Sequence, residues 1–368
     1  MSIRFDNDAR IVMTLDAGGT GLKFSAIRGN QLLPGPINVP SEADNLERCL
    51  ANIVGGFESI RAALPEPPVA ISFAFPGPAD YPAGIVANVG NLPAFRGGVA
   101  LGPMLEEKFG IPVYLNNDGD LFVCGEAIAG FLPYVNGQLE QAGNPKRYRN
   151  LFGITLGTGL GGGIVINGEL LIGDNSAGGE AWLLRHKIDA RMNADEGSSI
   201  RAVRKVYAKA EGIQLEDAPE PKTIFEIGMG RADGNGVAAR EAFRQMGEVA
   251  GDAVAQALTL IDGLVVVGGG ISAAAPLFLP ALVETMNGVF ERDGNPMPRL
   301  VPRTFNFEDG AQRAEFLKMS ARQLTVPGSS RKVFYDPVQR TAVGLSRLGT
   351  SEAVAIGAYA YALNRLGN

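Results

Sequence analysis

The sequence predicts an α/β protein of two domains with a similar design. Three observations carry this. The chain has 368 residues, more than one ordinary core accommodates. A short apolar run that breaks into a glycine turn and resumes at once occurs twice, around 16–21 and around 157–163. Between them, Leu115-Asn116-Asn117-Asp118-Gly119-Asp120 follows the apolar run 111–115 and precedes a helical pattern. That is the carboxyl end of a strand, where open α/β sheets hold ligands.

The elements follow in order. Residues 10–15 form a β-rich run ending in Asp16-Ala17-Gly18-Gly19-Thr20-Gly21, then 22–27 resumes it, and 31–39 suits a third strand. Glycines there allow a sharp turn and close approach of an anion to the backbone. Ser41 suits a helix cap, and Leu46, Leu50, Ile53, Val54, Phe57, Ile60 and Leu64 make one apolar stripe. Pro65, Pro67 and Pro68 end it. Residues 69–75 are continuously apolar, as in a strand buried on both faces. Asn91 lies in a loop, where it can meet a polar ligand or stabilise a turn. Leu101, Met104, Leu105 and Phe109 give a short helix stopped by Gly110, and 121–130 another, with Cys124 packed inside.

Residues 133–150 read as a surface insertion or the start of the second domain. The first pattern then repeats: a strand at 151–156, the turn Gly157-Thr158-Gly159-Leu160-Gly161-Gly162-Gly163, a strand at 164–166 and the hairpin signal Asn167-Gly168. Two anion-cradling hairpins from two domains would clamp a polyphosphate. Helical patterns cover 197–211, 221–229 and 236–261. The apolar strand 264–267 runs into Gly268-Gly269-Gly270-Ile271-Ser272, a turn that admits a base or ribose or equally makes a close strand-to-helix crossing, with Ser272 as helix cap. Residues 287–348 are rich in Pro, Arg and Gly, and the chain ends in an Ala-rich helix over 351–366, capped by Thr350 or Ser351.

Composition narrows the function classes. The hydrophobic fraction is 46%, the charged fraction 20% and the net charge −6, which suits a globular protein and argues against a nucleic-acid groove built on bulk charge. No apolar run reaches the ~20 residues of a membrane helix, and the N-terminus reads as no signal peptide. Cys49 and Cys124 are the only cysteines, and a reducing cytoplasm fits them. At the strand end, Asn and Asp can bond sugar hydroxyls, and one carboxylate can serve as general base, or the cluster is a turn and a helix cap.

Taken together, Leu15-Asp16-Ala17-Gly18-Gly19-Thr20, Phe75-Pro76-Gly77-Pro78, Asn117-Asp118, the 156–163 turn, Gly179-Glu180 and Val267-Gly268-Gly269-Gly270 resemble the ROK family of sugar kinases and sugar-responsive repressors, within the actin/hexokinase/Hsp70 superfamily. The resemblance implies an actin/hexokinase-like (ribonuclease H-like) fold with an interdomain cleft, residues 1–130 with 347–368 forming the first domain and 131–346 the second, including an insertion around 287–346. It implies ATP and Mg²⁺ between the Asp16 turn (Gly18, Gly19, Thr20) and the Gly157, Thr158, Gly159 turn, with Asp16 holding the metal through water and adenosine at Gly268, Gly269 and Gly270. It implies sugar on Asn91, Asn117, Asp118 and Glu180, and Asp118 as the catalytic base.

The expected activity is therefore ATP-dependent phosphorylation of a hexose or N-acetylhexosamine hydroxyl in the cytoplasm. The partners are the sugar and ATP, without nucleic acid or membrane, and a homodimer is compatible. The alternative is a sugar-sensing regulator of the same fold; repressor members carry an N-terminal helix-turn-helix, for which a first strand starting near residue 10 leaves no room.

The sequence departs from the family pattern after Glu180. The family's histidine three residues on is Leu183 here, and its zinc-binding cysteines are missing. No structural zinc is expected, since His186 alone cannot make a tetrahedral site. Burial of Trp182, Leu183 and Leu184 is expected to brace the loop instead. Asp195 or Glu196 falls near the place of the family's second sugar-binding glutamate.

Overall fold

The computed structural model describes residues 5–17, 21–33, 35–77, 79–87 and 92–367. The chain divides into two compact units, one of residues 1–133, 162–179 and 346–368, the other of 134–161 and 180–345.

The first unit is built on a sheet whose strands lie in the order Gln31–Leu32, Gly21–Arg28, Val12–Ala17, Ala70–Ala74, Val113–Asn116, with Ile37–Pro40 also paired to Gly21–Arg28. The expected third strand over 31–39 is thus two short ones. Val12–Ala17 and Gly21–Arg28 are antiparallel, with Asp16 opposite Lys23 and Thr14 opposite Ser25. The next two strands run parallel to Val12–Ala17. Alternation sends Met13, Leu15, Phe24, Ile71, Phe73, Val113 and Leu115 to one face, where they pack with Cys49, Ile53, Phe57, Leu105 and Phe109 from helices Leu46–Ala63 and Leu101–Phe109. The opposite face carries Val12 and Ala70 under Cys124, Ile128, Tyr359 and Leu363, from helices Asp118–Ile128 and Thr350–Leu366. Burial pushes the Cys124 thiol up to about 12, so this cysteine is a packing residue, not a nucleophile.

The expected domain boundary needs one revision. Residues 162–179, assigned above to the second domain, pack with the first. The physical reason is a glycine crossing: a Cβ on Gly163 would stand 2.6 Å from the Gly119 carbonyl oxygen and 2.7 Å from a Val123 methyl. Only glycine lets this strand lie against the start of helix Asp118–Ile128. The Asn167-Gly168 hairpin forms as read, pairing Ile166 with Glu169, with both turn residues at positive φ.

In the second unit, Leu151–Leu156, Leu264–Gly268, Arg340–Leu345 and Arg303–Asn306 lie side by side, all parallel. Helices Gly236–Ile261 and Ala275–Met286 pack closely, because a Cβ on Gly251 would stand 3.0 Å from the Leu282 Cα. Residues 133–150, left open above, begin with helix Phe131–Gln141.

The segment 287–346 is only partly an insertion. It supplies the sheet strands Arg303–Asn306 and Arg340–Leu345 and the helix Gly310–Leu317, with Phe305, Phe307 and Phe316 buried. What protrudes is two hairpins, Val289–Arg292 with Asn295–Pro298 and Arg322–Thr325 with Lys332–Tyr335, exposed along their length.

Candidate active site

The strand Val113–Asn116 stops at Asn117, whose extended backbone and side chain cap the next helix: its Oδ1 accepts the Gly119 N–H at 2.8 Å. The same N–H lies 2.9 Å from Asp118 Oδ1. Asp118 is exposed at the first helical position, where a carboxylate is favoured by the helix dipole. Beneath it Asn116 is fully buried, and neither polar atom of its amide has a hydrogen-bond partner among the described residues. Orphaned buried amides are rare in a site that serves packing alone.

Asp118 opens onto a cavity of about 480 Å³ within the first unit. Asp16 and Lys23, opposite one another on antiparallel strands, line it, as do Phe75 and the first helical residues Thr350 and Glu352. Asp16, next to last in its strand, is exposed. Three carboxylate residues, Asp16, Asp118 and Glu352, a lysine and a helix start therefore share one chamber at the carboxyl ends of parallel strands.

The helix start at Thr350 is placed by a residue that pattern reading missed. Glu126 is completely buried, and its carboxylate accepts N–H bonds from Phe131 at 2.6 Å and from Leu348 at 3.1 Å, with Ser346 also donating to it. Its signal was a lone acid inside the apolar run 121–128. The expected side-chain cap at Thr350 or Ser351 is not made; Gly349 occupies the cap position without a side-chain bond.

In the second unit, the glycine turn after Leu151–Leu156 is closed by the Gly157 N–H on the Gly159 carbonyl at 3.0 Å. A Cβ at Gly157 would meet no atom within 4 Å, so this turn presents bare backbone. The Gly268–Gly270 turn has Gly269 at φ +88, where a Cβ would collide with the Leu156 backbone. Ser272 does not cap the following helix. Its hydroxyl donates to the Gly269 carbonyl at 2.7 Å and fastens the turn, since the helix proper starts at Ala275 behind a 3₁₀ turn.

The loop after Glu180 corrects the bracing expected of it. Trp182 is 39% exposed and Leu183 59%, while His186 is 6% exposed. The histidine is the brace: its Nδ1 accepts the Ile188 and Asp189 N–H groups at 3.1 and 3.0 Å. Nδ1 is thus unprotonated, and burial holds the imidazole below its ordinary pKa, against the opposing pull of Asp189 and Glu196. Trp182 instead donates its indole N–H to the Glu180 carboxylate. Asp195 accepts the Leu160 N–H at 2.7 Å, and Glu196 is engaged by Arg201 and Lys205, so both side chains already hold protein partners. Among the described residues no group of three or more His, Cys, Asp or Glu is placed to hold a metal.

The structure thus brings Asp16 and Asp118 into one chamber. Asn117 serves as a helix cap, and Glu180, Gly157, Thr158, Gly159 and Gly268–Gly270 belong to the second unit. Gly18, Gly19, Thr20 and Asn91 lie outside the described residues.

The ROK family model matches residues 12–317. The chain belongs to the ROK family. It is 52% identical to a glucokinase from Parabacteroides distasonis, whose crystal structure matches 98% of this chain and 99% of that one with a TM-score of 0.90. It is 28% identical to the N-acetyl-D-glucosamine kinase of Vibrio parahaemolyticus over 70% of this chain and 83% of that protein. A Streptomyces griseus ROK glucokinase, solved with glucose and AMPPNP, shares the fold at 19% identity, TM-score 0.60, covering 95% of this chain and 98% of that one. The fold is therefore that of the ROK glucokinases, and the named relatives are sugar kinases.

Proposed function

We propose that the protein transfers the γ-phosphoryl group of ATP to a hexose hydroxyl, with Asp118 as general base and glucose as the first acceptor to expect. The observation that carries this reading is the chamber in which Asp118 faces the Asp16 carboxylate and Lys23, in a chain 52% identical to a glucokinase. Phosphoryl transfer asks the protein mainly for placement and charge neutralisation. Asp118, exposed at a helix start, suits removal of the hydroxyl proton as its oxygen attacks phosphorus and the β–γ bridging bond breaks to release ADP.

Mg²⁺ fits the residues present. Asp16 would hold it through the water shell that Mg²⁺ keeps, which does not require three protein ligands clustered on the ion. When bound, it neutralises phosphate charge. Lys23, opposite Asp16, adds a positive charge on the same face. The bare Gly157 turn and the fastened Gly268–Gly270 turn suit backbone N–H contacts to phosphates and to adenosine. Glu180, oriented by Trp182, and Asn117 are assigned to sugar hydroxyls.

The test is a panel of glucose, mannose, fructose, N-acetylglucosamine and N-acetylmannosamine with ATP and Mg²⁺, read by ADP release and by mass of the sugar product. Sugar phosphate with glucose leading is expected. No ADP release above the sugar-free rate with any of them, from a protein that binds sugar, would favour the regulator reading.

A further inference from the structure

The second glycine turn is held by a carboxylate. Leu160 N–H donates to Asp195 Oδ1 at 2.7 Å, and a Cβ at Gly159 would stand 3.0 Å from that same oxygen. The other side of the turn is tied by the Ile200 N–H on the Gly157 carbonyl at 2.8 Å. Asp195 sits in the 3₁₀ turn Ala194–Gly197, entered through Asn193, whose Oδ1 accepts the Glu196 N–H. Helix Ile200–Glu211 follows directly. Both ties therefore come from residues 195–200.

An anion so close to a turn meant for phosphates is unfavourable unless its charge is offset. Arg201 supplies that: its Nη2 lies 3.5 Å from Asp195 Oδ2 and it also bonds Glu196, which Lys205 engages at 2.7 Å. The arrangement leaves one Asp195 oxygen on the turn and turns the other toward a cation.

We infer that Asp195 is a positioning residue for the nucleotide: it fixes the Gly157–Leu160 turn in its phosphate-accepting shape, and Arg201 cancels the repulsion its charge would exert on ATP. This rests on the reading of that turn as a nucleotide site. It differs from a sugar-binding role for the same carboxylate, because one of its oxygens holds the Leu160 N–H and the other faces Arg201.

The test compares Asp195→Ala, Asp195→Asn and Arg201→Ala in the full chain. Asp195→Ala is expected to raise KM for ATP at least about tenfold, since a hydrogen bond to a charged group is lost, while KM for sugar moves less than about twofold. Asparagine keeps an Oδ1 for the same N–H, so Asp195→Asn is expected within about threefold of the wild type. Arg201→Ala is expected to weaken ATP, and adding Asp195→Asn to it is expected to restore most of the loss, because the repelling charge is gone. A purely structural role would lower the melting temperature without separating the two KM values. Unchanged ATP KM in a folded Asp195→Ala protein, or a loss confined to sugar KM, overturns the inference. Titration calorimetry with ATP alone separates this from the kinase reading. A protein that binds ATP in an Asp195-dependent way but phosphorylates nothing sinks only the kinase reading, and one that binds no ATP sinks both.

Discussion

The strand end at Asn116–Gly119 and the loop after Glu180 both carry polar side chains assigned to the sugar, yet different forces hold them. At the strand end the work is local. Asn117 caps its own helix through Gly119, the strand register places Asn116 beside Ala74, and the glycine crossing at Gly163 seats the helix start. In the loop the work falls to one buried side chain. His186 gathers the N–H groups of Ile188 and Asp189, and its ring lies against Gly197. The loop closes on itself through Ala194 N–H to Leu184 O at 2.7 Å. A locally capped segment keeps its geometry while its helix exists. A segment organised around one buried imidazole depends on that group's presence and protonation state.

The sharpest break in the comparison is at Asp118. Asp118→Asn is expected to lower kcat by about 10²–10⁴, the range for general-base help, with sugar affinity kept because the amide still offers an acceptor. Measured turnover within a few-fold of wild type would remove Asp118 from the role of base.

The strand end also fails in a predictable way when its seat is filled. Gly163→Val drives a side chain into the Gly119 carbonyl, and overpacking of this kind costs about 1–3 kcal/mol. A lowered denaturation midpoint with reduced turnover is expected. The matched control is Gly137→Ala in helix Phe131–Gln141, where a Cβ meets nothing within 4 Å; it is expected to be neutral or to stabilise by roughly 0.5–1 kcal/mol. Equal effects of the two substitutions would show that the crossing is not tight.

The same contrast explains what was legible in the sequence. Strands 12–17, 70–74 and 113–116, the glycine turns and the Asn-Asp strand end could be read because alternation, turn residues and caps are local signals. Glu126 could not, since Ser346, Arg347 and Leu348 reach it only on folding; the bonds of His186 are short-range, but its burial against Gly197 is not written in the local pattern. Strands Arg303–Asn306 and Arg340–Leu345 were hidden because they are short and flanked by Arg and Pro, and their parallel pairing with Leu264–Gly268 and with each other is non-local. The loop after Glu180 was misread for a related reason: Trp182 looks like core by composition, but its indole serves Glu180 while a histidine takes the buried place.

That misreading sets the next test. His186→Ala removes the acceptor for two N–H groups and a buried ring, and is expected to cost about 1–3 kcal/mol, as for unsatisfied buried donors. Trp182→Ala is expected to change stability by less than about 1 kcal/mol, as an exposed site does, while raising KM for sugar through Glu180. His186→Phe separates the two parts of the brace, keeping most of the volume and dropping the acceptor. If Trp182→Ala proves the more destabilising of the two alanine variants in denaturant titrations, the loop is held by apolar burial after all.

The smallest effect expected is on pH. Burial lowers the folded-state pKa of His186 below its ordinary value near 6.5, although Asp189 and Glu196 face it and pull the other way. The sign follows from which state takes the proton. In the unfolded chain the imidazole protonates as pH falls through about 6.5, whereas in the fold it stays neutral, because protonation at Nδ1 would oppose the Ile188 and Asp189 N–H groups. The unfolded state then binds more protons, so the stability that neutral His186 contributes is full above about 6.5 and is lost as pH falls from there toward the folded-state pKa. Denaturation midpoints followed from pH 7.5 to 5 are expected to decline for the wild type and to decline less for His186→Phe, with sugar KM rising over the same interval only when the histidine is present. Parallel curves for the two proteins would mean that His186 does not titrate in this window and that the loop's brace is insensitive to acid.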